Sequence, residues 1–299
     1  DVYKRQGLVI VDKPAGMTSH DVVSVLRRAF QTRRVGHAGT LDPAATGVLV
    51  VGIERGTKLL PFLVKDSKSY QATILIGQAT STEDADGDVT VTDSREHLDR
   101  LTETDLHTAA AQLTGDIEQV PSAVSAIKVN GVRAYQRVRQ GETVDLPPRP
   151  VHIDEFTLSH IRRTPEGWWL LDAVVSCSSG TYVRALARDV GADLGVGGHL
   201  TALRRTRIGP FDLSAACPDI FADDADAPAP MTMAEAARLS FPVVEVTDDQ
   251  EAAIRVGRRL DMIVPADVTA MIAGTGEMLA LYRPDGERRG QSRAICVLV

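Results

Sequence analysis

Several things are scarce in this chain. Only three cysteines occur in 299 residues, Cys177, Cys217 and Cys296, odd in number, far apart, and in neither a CxxC nor a His/Cys metal spacing. That argues against a disulfide framework and a zinc site, and for a reducing compartment. No apolar stretch comes near the ~20 residues that a membrane-spanning helix needs. No basic segment followed by an apolar one opens the chain, so secretion and a membrane are not expected and the cytoplasm is the expected address. There is no Walker-type phosphate loop, no dinucleotide fingerprint and no metal-ligand cluster, so neither cofactor nor metal is expected. What is present is ample apolar material, 43% of residues, and a length that suits two domains, or one large and one small.

The formal charge of -7 disfavours a nucleic-acid partner when taken alone, because phosphate binding needs a positive face. Its distribution matters more than its sum. Residues 83–105 hold nine acids against two bases, a local net of -7 that matches the whole deficit. Residues 1–60 carry nine bases and five acids, and Arg133, Arg137 and Arg139, then Arg204, Arg205 and Arg207, form separate basic clusters. A basic face on an acidic protein is therefore allowed, although charge alone fits an ordinary solvated surface equally well.

Residues 1–6 lack an initiator Met, precede a clean strand and are read as a non-native scar. Residues 7–11 read as a strand, Lys13 to Gly16 as a turn, and Ser19 as the cap of a helix carrying Val22, Val23, Leu26 and Phe30 at helical spacing. Residues 48–53, 70–76 and 168–177 read as strands, Asn130-Gly131 as a turn before an Arg-rich helix, and 182–194 as a helix with Arg184 and Arg188 one turn apart. Strands and helices without regular alternation predict an α+β class. Residues 219–230, rich in acids, Ala and Pro, suit a linker, and 241–299 suits a small, mainly β second domain.

The densest unusual segment is Arg33-Arg34-Val-Gly36-His37-Ala-Gly39-Thr40-Leu41-Asp42-Pro43-Ala-Ala-Thr46-Gly47, a glycine-rich loop around a single acid. By spacing alone Asp42 is as well explained by an Asp-Pro turn. Its flanking residues resemble the catalytic motif of the TruB family of tRNA pseudouridine synthases. Asp12-Lys13-Pro14-x-Gly16-x-Thr18-Ser19-His20-Asp21 looks like that family's N-terminal signature. Lys68-Ser-Tyr70, the run from Gly115 through Pro121 to Lys128, and Cys177-Ser-Ser-Gly180-Thr181-Tyr182-Val-Arg184 follow in the family's order, so the resemblance spans residues 7–211.

The resemblance implies a pseudouridine synthase fold with a mixed, mostly antiparallel sheet: catalytic domain 7–218, an RNA-gripping insertion at 121–149, a linker at 219–234 and a PUA-like domain at 235–299. It implies isomerisation of uridine 55 in the T arm of tRNA, after the nucleotide is flipped into a pocket. Asp42 would act at the sugar, as nucleophile or as base. Arg184 would pair with Asp42 and keep it ionised. Tyr70 would stack on the flipped uracil. His37 would fill the space the base leaves, Lys13, Arg204 and Arg205 would meet phosphates, and Tyr182 and Leu200 would complete substrate binding. Without the resemblance, Tyr70 and Leu200 are core residues and Arg184 a surface arginine. The expected partner is tRNA, with no obligatory protein partner and a monomeric chain. Competing readings are a guide-RNA-dependent synthase and a tRNA-binding folding factor with incidental catalysis. A glycosidase is disfavoured, because the motif supplies one acid plus a cation rather than two acids.

Overall fold

The computed structural model describes residues 6–299 apart from 126, 130, 143, 219 and 223–226, and the side chains of 128, 129, 133, 135, 138 and 139 also lie outside the description. The chain divides into two units. The first comprises residues up to Pro43, Gly47–Lys65 and Ile208–Val299; the second comprises Ala44–Thr46 and Asp66–Arg207.

The first unit opens with β1 (Gly7–Lys13), α1 (Ser19–Ala29), β2 (Val35–Ala38), β3 (Thr46–Ile53) and a single turn, α2 (Leu60–Leu63). β3 pairs antiparallel with β1 and with β2. Its nearly unbroken apolar run, Thr-Gly-Val-Leu-Val-Val-Gly-Ile, is the pattern of a strand covered on both faces. Alternate residues feed two cores: Leu8, Ile10, Val48 and Val50 one, Val9, Val11, Leu49, Val51 and Ile53 the other. α1 closes the second core with Val22, Val23 and Leu26. The cap of α1 is Thr18 rather than Ser19: Thr18 and Asp21 form a reciprocal capping box. The Thr18 hydrogen bonds hold the Asp21 carboxyl below its usual range. Ser19 is thereby left for another task, described below.

The second unit contains β4 (Lys68–Ile76), β5 (Gln78–Thr80), β6 (Val89–Thr92), α3 (Arg95–Leu98), α4 (Glu103–Gln112), β7 (Gly115–Gln119), β8 (Lys128–Val129), β9 (Val132–Arg133), α5 (Ala134–Arg139), β10 (Arg149–Arg163), β11 (Trp169–Cys177), α6 (Val183–Asp193) and β12 (Gly198–Ile208). The strand order is β12-β4-β11-β10-β7. Period-two alternation sends Tyr70, Ala72, Ile74 and Ile76 of β4, with Ala173 and Val175 of β11, to the face that packs with Leu106 of α4 and Leu186 and Val190 of α6. β5 and β6 form a separate hairpin, as do β8 and β9.

The first unit is completed by β13 (Phe211–Asp212), α7 (Met233–Ser240), β14 (Val243–Val246), α8 (Asp248–Arg255), β15 (Thr269–Ala273), β16 (Met278–Pro284) and β17 (Ser292–Val297). The four last strands run β14-β15-β16-β17, with one parallel and two antiparallel pairings. Met233, Ala236, Ala270, Met278 and Leu281 share a core with Leu8, Ile10, Val48 and Val50. The class is α+β, as the sequence predicts.

Candidate active site and nucleic-acid interface

Asp42 lies half-buried in the loop between β2 and β3, and both of its chain neighbours are tied down. Before it, the Ser19 hydroxyl donates to the Leu41 carbonyl at 3.1 Å and accepts from the Leu41 N–H at 2.9 Å. After it, the Pro43 carbonyl accepts from Lys13 Nζ at 3.1 Å and from the Gly16 N–H at 2.9 Å. Lys13 also donates to the carbonyls of Pro14 (2.9 Å) and Met17 (2.6 Å). Gly16 and Gly39 have φ of +83° and +78°, a conformation that disfavours side chains, so glycine is required where the loop turns. The effect is a carboxylate carried on backbone fixed from both sides, the condition for holding one oxygen against a reacting centre.

Lys13 is therefore not placed as a phosphate contact. It is 0% exposed, with its ammonium on three carbonyls, and a phosphate outside the protein has no access to it. Arg205 departs from the sequence reading in the same way, at 1% exposure inside the second unit. Its guanidinium and burial together act on Lys68: burial pushes that ammonium down to about 8, and the Arg205 charge adds to the effect. Arg204 is half-buried, with a guanidinium nitrogen 3.4 Å from the Thr46 hydroxyl, and it lines a cavity of about 720 Å³ with Gln71, Thr73, Asp172 and Thr201. His37 sits half-buried on β2 opposite Val51.

In the second unit Tyr70 lies on β4 opposite Val175, 7% exposed within the core that Val183 and Leu186 share. Two residues earlier on the same face, Lys68 stands opposite Cys177. Leu200 is buried in that core, and its N–H donates to the Glu83 carbonyl at 3.0 Å. Tyr182 is the N-cap of α6 but its side chain makes no capping hydrogen bond; Gln119 holds its backbone instead, accepting from the Tyr182 N–H at 2.9 Å and donating to its carbonyl at 3.2 Å.

Arg184 is no surface arginine. It is 6% exposed on α6 and donates to the carbonyls of Thr82 and Val124, both at 2.8 Å, with the Asp84 carboxylate 3.4 Å away. One turn on, Arg188 donates to Glu83 at 2.7 Å, to Asp189 at 2.8 Å and to the Val120 carbonyl at 2.8 Å. The two arginines thus clamp two segments, 82–84 and 120–124, onto one helix. The sequence reading gives no individual role to Glu83, Asp84, Arg188 or Gln119. Their one signal is position: Glu83 and Asp84 lead the acidic run, where solvated charge is the default explanation.

Arg137 of the basic cluster pairs with Glu142 at 2.6 Å, and the side chains of Arg133 and Arg139 lie outside the described residues. Among the described residues no group of three metal-ligating side chains converges, and no helix is long and apolar enough to cross a membrane.

The chain is similar to known proteins. Residues 27–183 match the model of the TruB family pseudouridylate synthase N-terminal domain, and 184–219 that of the tRNA pseudouridylate synthase B C-terminal domain. The chain is 64% identical to tRNA pseudouridine synthase B of Cutibacterium acnes over 99% of both chains. It is 52% identical to the protein of that name from Corynebacterium efficiens, over 96% of this chain and 95% of the relative. Among solved structures, an H/ACA ribonucleoprotein bound to a substrate RNA containing 2′-deoxyuridine superposes with a TM-score of 0.70 at 22% identity, covering 100% of this chain and 86% of the other. The archaeal box H/ACA Nop10–Cbf5 complex gives 0.69 at 23%, covering 100% and 88%. At that identity the likeness concerns the pseudouridine synthase fold alone. With the Asp42 loop, the α+β architecture and 64% identity across the full length in agreement, the chain belongs to the TruB family of pseudouridylate synthases.

Proposed function

We propose that the chain converts uridine 55 in the T arm of tRNA to pseudouridine in the cytoplasm, as a monomer with no obligatory protein partner and no cofactor. The observation that carries the reading is the Thr40-Leu41-Asp42-Pro43 motif on a loop tied at Leu41 and Pro43, in a chain 64% identical to a relative named for tRNA pseudouridine synthesis. The reaction is balanced within one nucleotide. The C1′–N1 bond breaks, a C1′–C5 bond forms, and the proton on C5 is exchanged for one on N1.

A target uridine stacked in the T loop must be flipped out, at a cost of a few kcal/mol recovered by contacts. Asp42, ionised, acts at the ribose while the glycosidic bond opens, by attack on carbon or by removal of a sugar proton. Arg184 supplies the positive charge that keeps Asp42 ionised, and Tyr70 stacks on the base. His37 fills the gap in the loop, and Tyr182 and Leu200 close the pocket wall. Arg204 and residues 121–149 grip the RNA backbone. Residues 7–218 carry this function, and 219–234 join them to a PUA-like domain at 235–299.

The test uses unmodified tRNA and a variant with cytidine in place of uridine 55, each probed for pseudouridine by position. Product at position 55 of the first and nowhere in the second is expected. Product elsewhere, or only with an added guide RNA or protein, contradicts the reading.

A further inference from the structure

Arg184 and Arg188 hold residues 120–125 by two carbonyls four residues apart, Val124 and Val120, so the segment lies along α6 as a strap pinned at both ends. Between and beside the pins stand Ser122 and Ser125, 1% and 5% exposed. Neither hydroxyl has a hydrogen-bond partner. Among the described residues three buried serine hydroxyls lack a partner, and two of them fall in this strap. The opposite clamp repeats the pattern: Glu83, in a left-handed conformation at φ +64°, gives one carboxylate oxygen to Arg188, and its other oxygen is buried without a partner.

A buried hydroxyl without a partner has lost its hydration and gained nothing, so a chain that keeps two of them in one short segment bears a cost that an alanine would remove. They stand one and two residues from a carbonyl held by Arg184, whose role the proposed function places at the reacting nucleotide. The ligand that suits them is neutral. The guanidinium groups here are already engaged by carbonyls and by Glu83, Asp84 and Asp189, which leaves a phosphate without matching cations and with repelling carboxylates. A uracil edge is matched instead, since its carbonyls accept and its imide N–H donates, and a hydroxyl does both.

We infer that Ser122 and Ser125 are specificity residues for the target base: a small shift of the strap as RNA enters turns their hydroxyls onto the hydrogen-bonding edge of the flipped uracil. The inference rests on the function proposed above. Because the hydroxyls surrender no bond in turning, the shift is biased toward the bound arrangement. It also separates uracil from bases with a different donor and acceptor order, because a wrong edge leaves both hydroxyls buried and unpaired.

The experiment takes wild type, Ser122→Ala and Ser125→Ala with T-arm stem-loops carrying either uridine or 4-thiouridine, tritiated at C5, at the target position. Each alanine variant is expected to melt at or above wild type, because an unpaired hydroxyl is removed. At least one is expected to convert uridine about tenfold more slowly under single turnover, the loss of one hydrogen bond in the transition state. With 4-thiouridine, whose sulfur accepts poorly, that penalty is expected to shrink, the signature of coupling between hydroxyl and base. Variants as fast as wild type, variants that melt lower, or an equal penalty on both substrates overturn the inference. A wild type that converts uridine in neither stem-loop nor full tRNA overturns the proposed function instead, and the inference with it.

Discussion

The ammonium of Lys13, fully buried, donates at 3.1 Å to the carbonyl of Pro43, thirty residues along the chain and next to Asp42. A cation thus acts as a structural pin for the loop that carries Asp42, the acid to which the proposed function gives the chemistry. Lys13→Met removes that pin and leaves the Pro14, Met17 and Pro43 carbonyls to lose their charged donor at once. The expected stability loss is about 3 kcal/mol, the range for breaking a buried charge-assisted network. Urea denaturation measures it. Turnover at saturating RNA should fall by more than tRNA affinity, because Asp42 is displaced while the RNA-binding surface persists.

Arg188 gives a second prediction. Its substitution by alanine unpins the strap at Val120 and leaves Glu83 without its guanidinium. A loss of about 2 kcal/mol is expected, since hydrogen bonds to charged groups are each worth more than neutral ones and the group is only partly solvated. Hydrogen exchange at residues 120–125 should rise in the same variant. Unchanged exchange there would show that Arg184 alone holds the segment.

Lys68 supplies the pH dependence. Burial first, and then Arg205, bring its ammonium from 10.5 down to about 8. Between those values the unfolded chain binds a proton that the folded chain does not, so folding stability contributed by this site rises with pH. Relative to Lys68→Met, wild type should therefore gain about 3 kcal/mol as pH climbs from about 8 to 10.5. Below about 8 the difference should be flat. Paired denaturation curves at three pH values measure it, and a difference constant throughout would show a solvated lysine.

Much of the fold is readable in the order of residues, for reasons that differ by element. β1, β3, β4 and β11 are apolar runs bounded by turn residues, and α6 is announced by its amphipathic spacing with Tyr182 and Leu194 at its two ends. β10, fifteen residues, alternates buried Val151 and Ile153, then Phe156 and Leu158, with polar neighbours, but register shifts between Ile153 and Glu155 and between Ser159 and Arg162 break the period, so no unbroken run announces it. Ser19 looks like a cap by type, yet Thr18 has the partner at the right offset, and tertiary demand from Leu41 takes the serine hydroxyl. The site divides similarly. The tight loop around Asp42 is legible because glycine and proline mark where its backbone turns, whereas the role proposed for Asp42 rests on the family resemblance of its flanking residues. Lys13 and Arg205 are misplaced by a reading that expects cations at surfaces, since burial of a charge depends on partners distant in sequence. Asp84 and Glu83 are hidden by the acids that follow them.

In the proposed function Asp42 acts on the ribose, and binding of the RNA does not depend on its charge. Wild type and Asp42→Asn are compared on a T-arm stem-loop tritiated at uridine C5, because pseudouridine and uridine have equal mass whereas loss of the C5 proton reports the step. Tritium release by wild type and about 10⁴-fold slower release by Asp42→Asn are expected, with salt-sensitive RNA binding retained. Release from the asparagine variant at a rate near wild type would overturn the role given to Asp42.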